Sequence, residues 1–184
     1  MTSENSASIT GSIPTHHRYA TVERGLRRVL GHLSQSLKRD ALVEQTVSQL
    51  RSTLDADRVL LYYFYRQWQG QVTFESLSDE QLSIFGATGA DQCFTDEYAE
   101  QYLQGRVRAI PDIEAEDIHP CHRDFLRGIQ VQANLVVPVL TNKGLWGLLV
   151  AHQCRSPRQW SEADVEQMQQ GAKQLAEAPA IQES

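Results

Sequence analysis

The sequence predicts an α+β domain, an antiparallel β-sheet flanked by helices, and three observations carry that expectation. Apolar residues in the first third recur at intervals of three and four, the helical period. Two pairs of short runs rich in Val, Leu and aromatic residues are joined by turn-forming segments, the pattern of hairpins. A segment opened by a helix-capping signal closes the chain.

The elements follow in order. Residues 1–17 are small and polar, with Gly11 and Pro14, and read as a disordered tail. One domain is expected over 18–178, with a second tail at 179–184. From Tyr19 to Leu54 the apolar positions give one or two amphipathic helices, with a break near Lys38 to Asp40. Arg58 to Arg66 is β-branched and aromatic, and Gln71 to Ser76 follows a turn at Gly70, so the two form a hairpin. After Asp91 the chain reads as helical through Leu103, with Thr95 or Asp96 as its start signal and Gly105 as its stop. Arg106 to Ile110 is a short strand, and Pro111 to Gly128 is a loop leading into a short helix that Gly128 ends. Ala133 to Leu140 and Leu145 to His152 form a second hairpin around Thr141 to Gly144. Ser161, with Asp164 three residues on, caps a last helix that runs to about Ala178. Helices on one side of a sheet satisfy this order.

A chain of 184 residues holds one compact α/β domain and leaves no room for a second catalytic one. Its net charge of -6 and isoelectric point near 5.5 argue against a surface built for phosphates or an anionic membrane, so nucleic acid is excluded as a partner. No apolar run approaches the roughly 20 residues that cross a bilayer, and the first residues lack a secretory signal, which predicts a cytoplasmic protein. Three cysteines, Cys93, Cys121 and Cys154, are an odd number in such a chain and do not suggest a disulfide framework.

Two cysteine neighbourhoods carry the functional signal. Cys121-His122 is followed by Phe125-Leu126, by Ala133-Asn-Leu-Val-Val-Pro138, by Leu145-Trp-Gly-Leu148, and by Ala151-His152 through Pro157-Arg158. This stretch resembles the chromophore-bearing region of phytochrome-superfamily domains with the GAF fold. Asp91-Gln92-Cys93-Phe94, 28 positions before Cys121 counted from its cysteine, is similar to the Asp-Xaa-Cys-Phe motif of dual-cysteine cyanobacteriochromes. The resemblance spans roughly residues 40 to 175 and implies a photoreceptor domain, not an enzyme, that binds a linear tetrapyrrole (bilin), phycocyanobilin or its isomer phycoviolobilin. The resemblance further implies reversible switching between two colours by Z/E isomerisation.

The resemblance also assigns roles that the residue chemistry makes sensible. A thiolate is a strong nucleophile, and Cys121 attaches the pigment as a thioether without a separate lyase. Cys93 supplies a second, reversible linkage that shortens the conjugated system and moves absorption toward the blue. A carboxylate accepts charge-assisted hydrogen bonds from a protonated bilin, the part implied for Asp91. His122 lies against the pyrrole rings, Arg106 holds a propionate with Arg108 as a second candidate, and His152 lies near ring D. Tyr98, Tyr102 and Trp146 are candidates for the pocket wall. No output motif is recognisable, so the chain is expected to be part of a longer receptor or to signal through a partner, with its terminal helices as transmitters and a possible homodimer seam.

Plainer readings stand beside these. Asp91 suits a helix cap, Arg106 a solvated surface arginine and His152 a satisfied core histidine; Trp146 is first of all core material; Cys154 matches no motif. Two other functions compete. Cys93 and Cys121 suit the attacking and resolving thiols of a GAF enzyme such as a free methionine sulfoxide reductase. A small-ligand-binding GAF module, or a metal site from Cys93, His119, Cys121 and His122, is the other alternative, although the spacing lacks the paired short repeats of structural zinc.

Overall fold

A computed structural model of the chain describes residues 15–66, 69–89 and 96–184. Helix α1 (Thr15–Arg39) ends on Lys38 and Arg39, cations at the carbonyl end of its dipole. Asp40 then caps α2 (Ala41–Thr53), its carboxylate accepting from the amides of Leu42 and Val43 at 3.0 and 3.4 Å, so the expected break falls there. Two compact units result, divided between His32 and Leu33. The first contains the early turns of α1, which begin at Thr15, inside the stretch expected as a tail. The second, from Leu33 onward, carries everything described below.

The strands β1 (Arg58–Arg66), β2 (Gln69–Leu77), β3 (Arg108–Ile110), β4 (Ala133–Thr141) and β5 (Gly144–Gln153) form one sheet in the order β2-β1-β5-β4-β3, antiparallel throughout. Gly144 closes the β4–β5 hairpin at φ +113°, open to glycine without cost. Gly70 is not the turn that its composition suggests. It lies inside β2 opposite Phe64, where a Cβ would meet the carbonyl oxygen of Tyr63 at 2.3 Å. A short 3₁₀ turn, Glu80–Leu82, follows β2 and had no clear signal in the sequence. β3 is shorter than expected, starting at Arg108 and not at Arg106.

One face of the sheet carries Val59 and Leu61 of β1, Leu135 and Val137 of β4, and Leu149 and Ala151 of β5, all buried. Against them pack α2, through Val43 and Val47, and α5 (Glu162–Ala176), through Met168 and Leu175. Burying each such side chain is worth about 1.5–3 kcal/mol. The capping box at Ser161 and Asp164 starts α5 as expected. Residues 179–184 are no tail. They hold the short helix α6 (Pro179–Gln182), Ile181 is fully buried, and the Ala180 amide donates to the second carboxylate oxygen of Asp40 at 2.9 Å.

The other face carries Leu60, Val72, Val136, Leu148 and Val150. Instead of facing solvent, it is covered by α3 (Asp96–Leu103) and α4 (Pro120–Gly128), so helices flank both sides and not one. Two bulges redistribute side chains. Thr73 is unmatched between Val72 and Phe74, which puts Val72 on this second face and Phe74 on the α2/α5 face. Trp146 is unmatched between Leu145 and Gly147 and likewise turns into the α2/α5 core, where its indole Nε1 donates to the Ser184 hydroxyl at 2.7 Å. Among the described residues, no helix is long and apolar enough to cross a membrane.

Candidate functional site

The second face of the sheet is the floor of a cavity of about 140 Å³ that is partly open to solvent. β1, β4 and β5 supply an apolar floor, Tyr102 of α3 and Phe125 of α4 supply walls, and the loop from Ile84 to Gly89 closes the edge beside β2. Arg108, His122, Asn134 and His152, together with the hydroxyl-bearing Tyr62, Thr88 and Tyr102, interrupt the apolar lining.

The β2 edge is organised by Tyr62. Its hydroxyl donates to the carbonyl of Gly70 and accepts from the amide of Gly89, both at 2.8 Å. A Cβ at Gly89 would lie 2.7 Å from that hydroxyl, so the loop approaches this closely because it is glycine. The sequence reading did not single out Tyr62, which had the appearance of one more aromatic in a strand.

The opposite wall is α4. Pro120 occupies its first turn, and His119 caps it by accepting the Cys121 amide on Nδ1 at 3.3 Å. His119 is thereby used structurally, and no group of three potential metal ligands occurs among the described residues. Arg123 donates to the carbonyls of Ile113 and Glu116 at 2.8 and 2.7 Å, tying the helix to the preceding loop. These contacts hold Cys121, half-buried, next to His122, which faces the cavity and stacks on Phe125 with centroids 6.5 Å apart. Burial, and then the nearby Arg108 guanidinium, lower the proton affinity of His122.

On the floor His152 is 4% exposed, and its affinity for a proton is well below the ordinary range, through burial first, then Arg58, then His122. It lines the cavity with its cross-strand neighbour Asn134, whose Oδ1 is buried without a hydrogen-bond partner. An orphan buried acceptor costs about 1–3 kcal/mol and suits a cavity built to take a donor from a ligand.

The expected site residues are thus distributed unevenly. His122, His152 and Tyr102 line one cavity, and Cys121 adjoins it. Arg106 does not line it; it bonds the side chain of Gln101 and lies over the Tyr102 ring, 5.9 Å from the centroid. The cavity's guanidinium is Arg108, paired with Glu116 at 3.0 Å. Trp146, expected as a possible wall, is on the opposite face. Asp91 and Cys93 lie outside the described residues, as does the side chain of Tyr98 on α3. Cys154 is a free thiol whose proton is held by burial, and it is not in the cavity lining.

Comparison with known proteins agrees with this geometry. An uncharacterized protein of Picosynechococcus is 50% identical over 154 residues, 84% of this chain and 94% of its own length. The GAF domain of the cyanobacteriochrome PixJ of Thermosynechococcus elongatus, solved in a blue-light-absorbing form, is 36% identical with a TM-score of 0.68, covering 76% of this chain and 85% of the other. A phycoerythrobilin-bound GAF domain from a cyanobacterial phytochrome is 29% identical with a TM-score of 0.70, covering 88% and 95%. The family model for the GAF domain matches residues 38–178, the five-stranded sheet and every helix from α2 to α5, and the chain belongs to the GAF domain family.

Proposed function

We propose that this chain is a photosensory domain holding a linear tetrapyrrole in the cavity above the sheet, with Cys121 as its covalent anchor. The observation that carries the reading is the juxtaposition of Cys121 and His122 at the start of α4 with a largely apolar cavity that is also lined by His152 and by Asn134, whose Oδ1 is unpartnered. The residues present fit the group: a largely apolar lining for flat conjugated rings, a few polar side chains among it, and the Arg108 guanidinium as a cation for a carboxylate. Bound there, a bilin supplies visible absorption and a double bond that light isomerises.

The chain's own residues do the rest. Cys121, which is disulfide-bonded in this structure, would once reduced to the thiol hold the group through a thioether to its ring A side chain, one C–S bond replacing one C=C π bond and the thiol proton going to the adjacent carbon. His122, neutral by burial, is placed to take and return that proton. Cys93 would supply the second, reversible linkage by the same balance, shifting the colour toward the blue, and Asp91 would be the counter-ion of the ring nitrogens. In this reading the protein turns over no substrate. The likeness to a PixJ domain in a blue-light-absorbing form supports the second linkage, and the phycoerythrobilin-bound relative supports the pigment class; phycocyanobilin, in part isomerised to phycoviolobilin, is the pigment proposed here.

The test is co-expression with enzymes that make phycocyanobilin. A coloured protein is expected, with pigment retained in acid denaturant and absorption that alternates reversibly under two colours of light. Cys121→Ala should lose the attached pigment; Cys93→Ala should keep it and lose the blue-shifted form. A colourless wild-type product defeats the proposal, and unchanged spectra in Cys93→Ala defeat the second linkage by itself.

A further inference from the structure

Charge is segregated along this chain. Helix α1 carries six lysine and arginine residues against one glutamate, a net of +5, in a chain whose net charge is -6. The overall value, which by itself argues against an anionic membrane, therefore conceals a basic helix joined to a strongly acidic remainder. Arg24, Arg27 and Arg28 are exposed in the first unit, and the one acid of the helix, Glu23, is paired with Arg27 at 2.8 Å.

The apolar stripe of α1 is divided between two environments. Leu30, Leu33 and Leu37 are buried, the last two in the main core cluster. Val22 and Val29, seven residues apart on the flank of that stripe, are 59% and 60% exposed. Residues three and four apart on a helix are neighbours, so Val22 adjoins Gly25, Gly25 adjoins Arg28 and Val29, and both of these adjoin His32. All five are exposed. The row is bare at Gly25, where an added Cβ would meet nothing within 4 Å. Apolar and cationic side chains thus share one solvent-facing flank.

We infer that the Val22–His32 flank of α1 is a docking surface for an anionic lipid bilayer, with the helix lying in the plane of the headgroups. The occupant follows from what the flank must satisfy. Lipid phosphates accept the guanidinium N–H groups, and the boundary between headgroups and acyl chains receives the valines, the arrangement of an interfacial amphipathic helix. A nucleic acid or an acidic protein surface serves the arginines and gives the valines nothing. A second copy docked through the same flank brings Arg28 against Arg28, which like-charge repulsion opposes. This is adsorption and not insertion, since no helix among the described residues is long and apolar enough to span a membrane. It does not depend on the bilin reading.

Co-sedimentation of the full chain with lipid vesicles tests the inference. Wild-type protein is expected to pellet with an equal mixture of phosphatidylglycerol and phosphatidylcholine at low salt and to stay in solution with phosphatidylcholine alone. It should be released near 1 M salt, where the Debye length is about 3 Å. A cation near such a surface is worth roughly fivefold in partition, so the triple variant Arg24→Gln, Arg27→Gln, Arg28→Gln should bind roughly a hundredfold more weakly. Glu23→Gln should bind roughly fivefold more tightly by the same reasoning. Val22→Ser with Val29→Ser should weaken vesicle binding at unchanged charge. Helix content by circular dichroism should match wild type in each variant, because the exchanged side chains are exposed. Wild-type protein that fails to pellet at low salt overturns the inference, as does a triple variant that pellets equally well. A valine variant that binds vesicles as wild type does, or wild-type protein that prefers polyglutamate or duplex DNA to the vesicles, overturns the lipid assignment in favour of a polyanionic macromolecule.

Discussion

Replacing Gly147 by alanine inserts one carbon atom between the two central strands of the sheet. The added Cβ would lie 2.1 Å from the carbonyl oxygen of Tyr62, 3.1 Å from its carbonyl carbon and 3.2 Å from Cα of Tyr63. Ordinary contact begins near 3.4 Å, and all three neighbours are backbone, so no rotamer change relieves the clash. β1 and β5 have to part by roughly 1 Å at a point where both are paired on either side, in an interior that compresses little. Overpacking costs about 1–3 kcal/mol, and loosening one or two ladder hydrogen bonds adds about 1 kcal/mol each. Alanine recovers about 0.5–1 kcal/mol by restricting the unfolded chain. The net expectation is a loss of about 3 kcal/mol, which for a domain of this size is roughly 6–12 °C in Tm.

Urea unfolding followed by tryptophan fluorescence measures the loss, with Gly128→Ala as control, since a Cβ there meets nothing within 4 Å. The Gly147 variant should also bind less pigment per folded molecule, because the displaced residue is Tyr62, whose hydroxyl closes the cavity edge. A Gly147→Ala protein within about 1 kcal/mol of its Gly128→Ala counterpart would refute the close-approach argument.

Two more predictions rest on buried polar groups. Both cavity histidines bind protons less readily folded than unfolded, His152 more so, so between the ordinary histidine pKa of about 6.5 and their depressed folded values the unfolded chain holds more protons. Stability should therefore be intact above pH 6.5 and fall as pH drops below it, a slope that His152→Gln reduces; a flat unfolding midpoint from pH 7 to 5 in wild-type protein contradicts this. Asp57, 2% exposed, accepts from the Cys154 amide at 2.8 Å, the Arg155 guanidinium at 2.7 Å and the Ser78 hydroxyl at 3.2 Å. Asp57→Ala should cost about 3 kcal/mol in the same unfolding assay, and Asp57→Asn clearly less because it keeps an acceptor; equal losses would show that the hydrogen-bond count is not what matters there.

Much of the fold was legible because its signals are local. The Asp40 and Ser161 caps and the Gly144 hairpin are decided by groups within three residues of one another, and the chain shows them directly. The site was legible through its cysteine and histidine neighbourhoods, which placed His122, His152 and Tyr102 on one cavity. What escaped depends on pairing. Strict alternation along β5 puts Trp146 on the face of Leu148, Val150 and His152, and the unmatched residue at the end of the β4–β5 ladder reverses it. Arg58 reads as the polar start of a strand until register sets it opposite His152, 94 residues away. Arg106 and Arg108 share a local pattern, and only the cavity separates them. Gly70 has the composition of a turn and the environment of a strand, because what it answers to is the Tyr63 carbonyl on the neighbouring strand.

The same two strands serve two opposed demands. On one side β1 and β5 supply Val59, Leu61, Leu149 and Ala151 to a closed core that wants only volume and apolarity. On the other they supply Leu60, Tyr62, Leu148, Val150 and His152 to a cavity that must stay open and keep a few polar groups in place. Neighbouring residues on a strand point to opposite faces, so neither side can be altered by shifting register without emptying the other. The polar groups are accordingly secured from outside the strands: Tyr62 by the Gly70 carbonyl and the Gly89 amide, His152 by Arg58, and Arg58 in turn by carbonyls of the β2 loop and the end of α4. A cavity fixed in this way keeps its donor and acceptor positions independent of what fills it, which is the property a site needs if a change in its ligand's shape is to be felt as a change in hydrogen bonding and not absorbed by slack side chains.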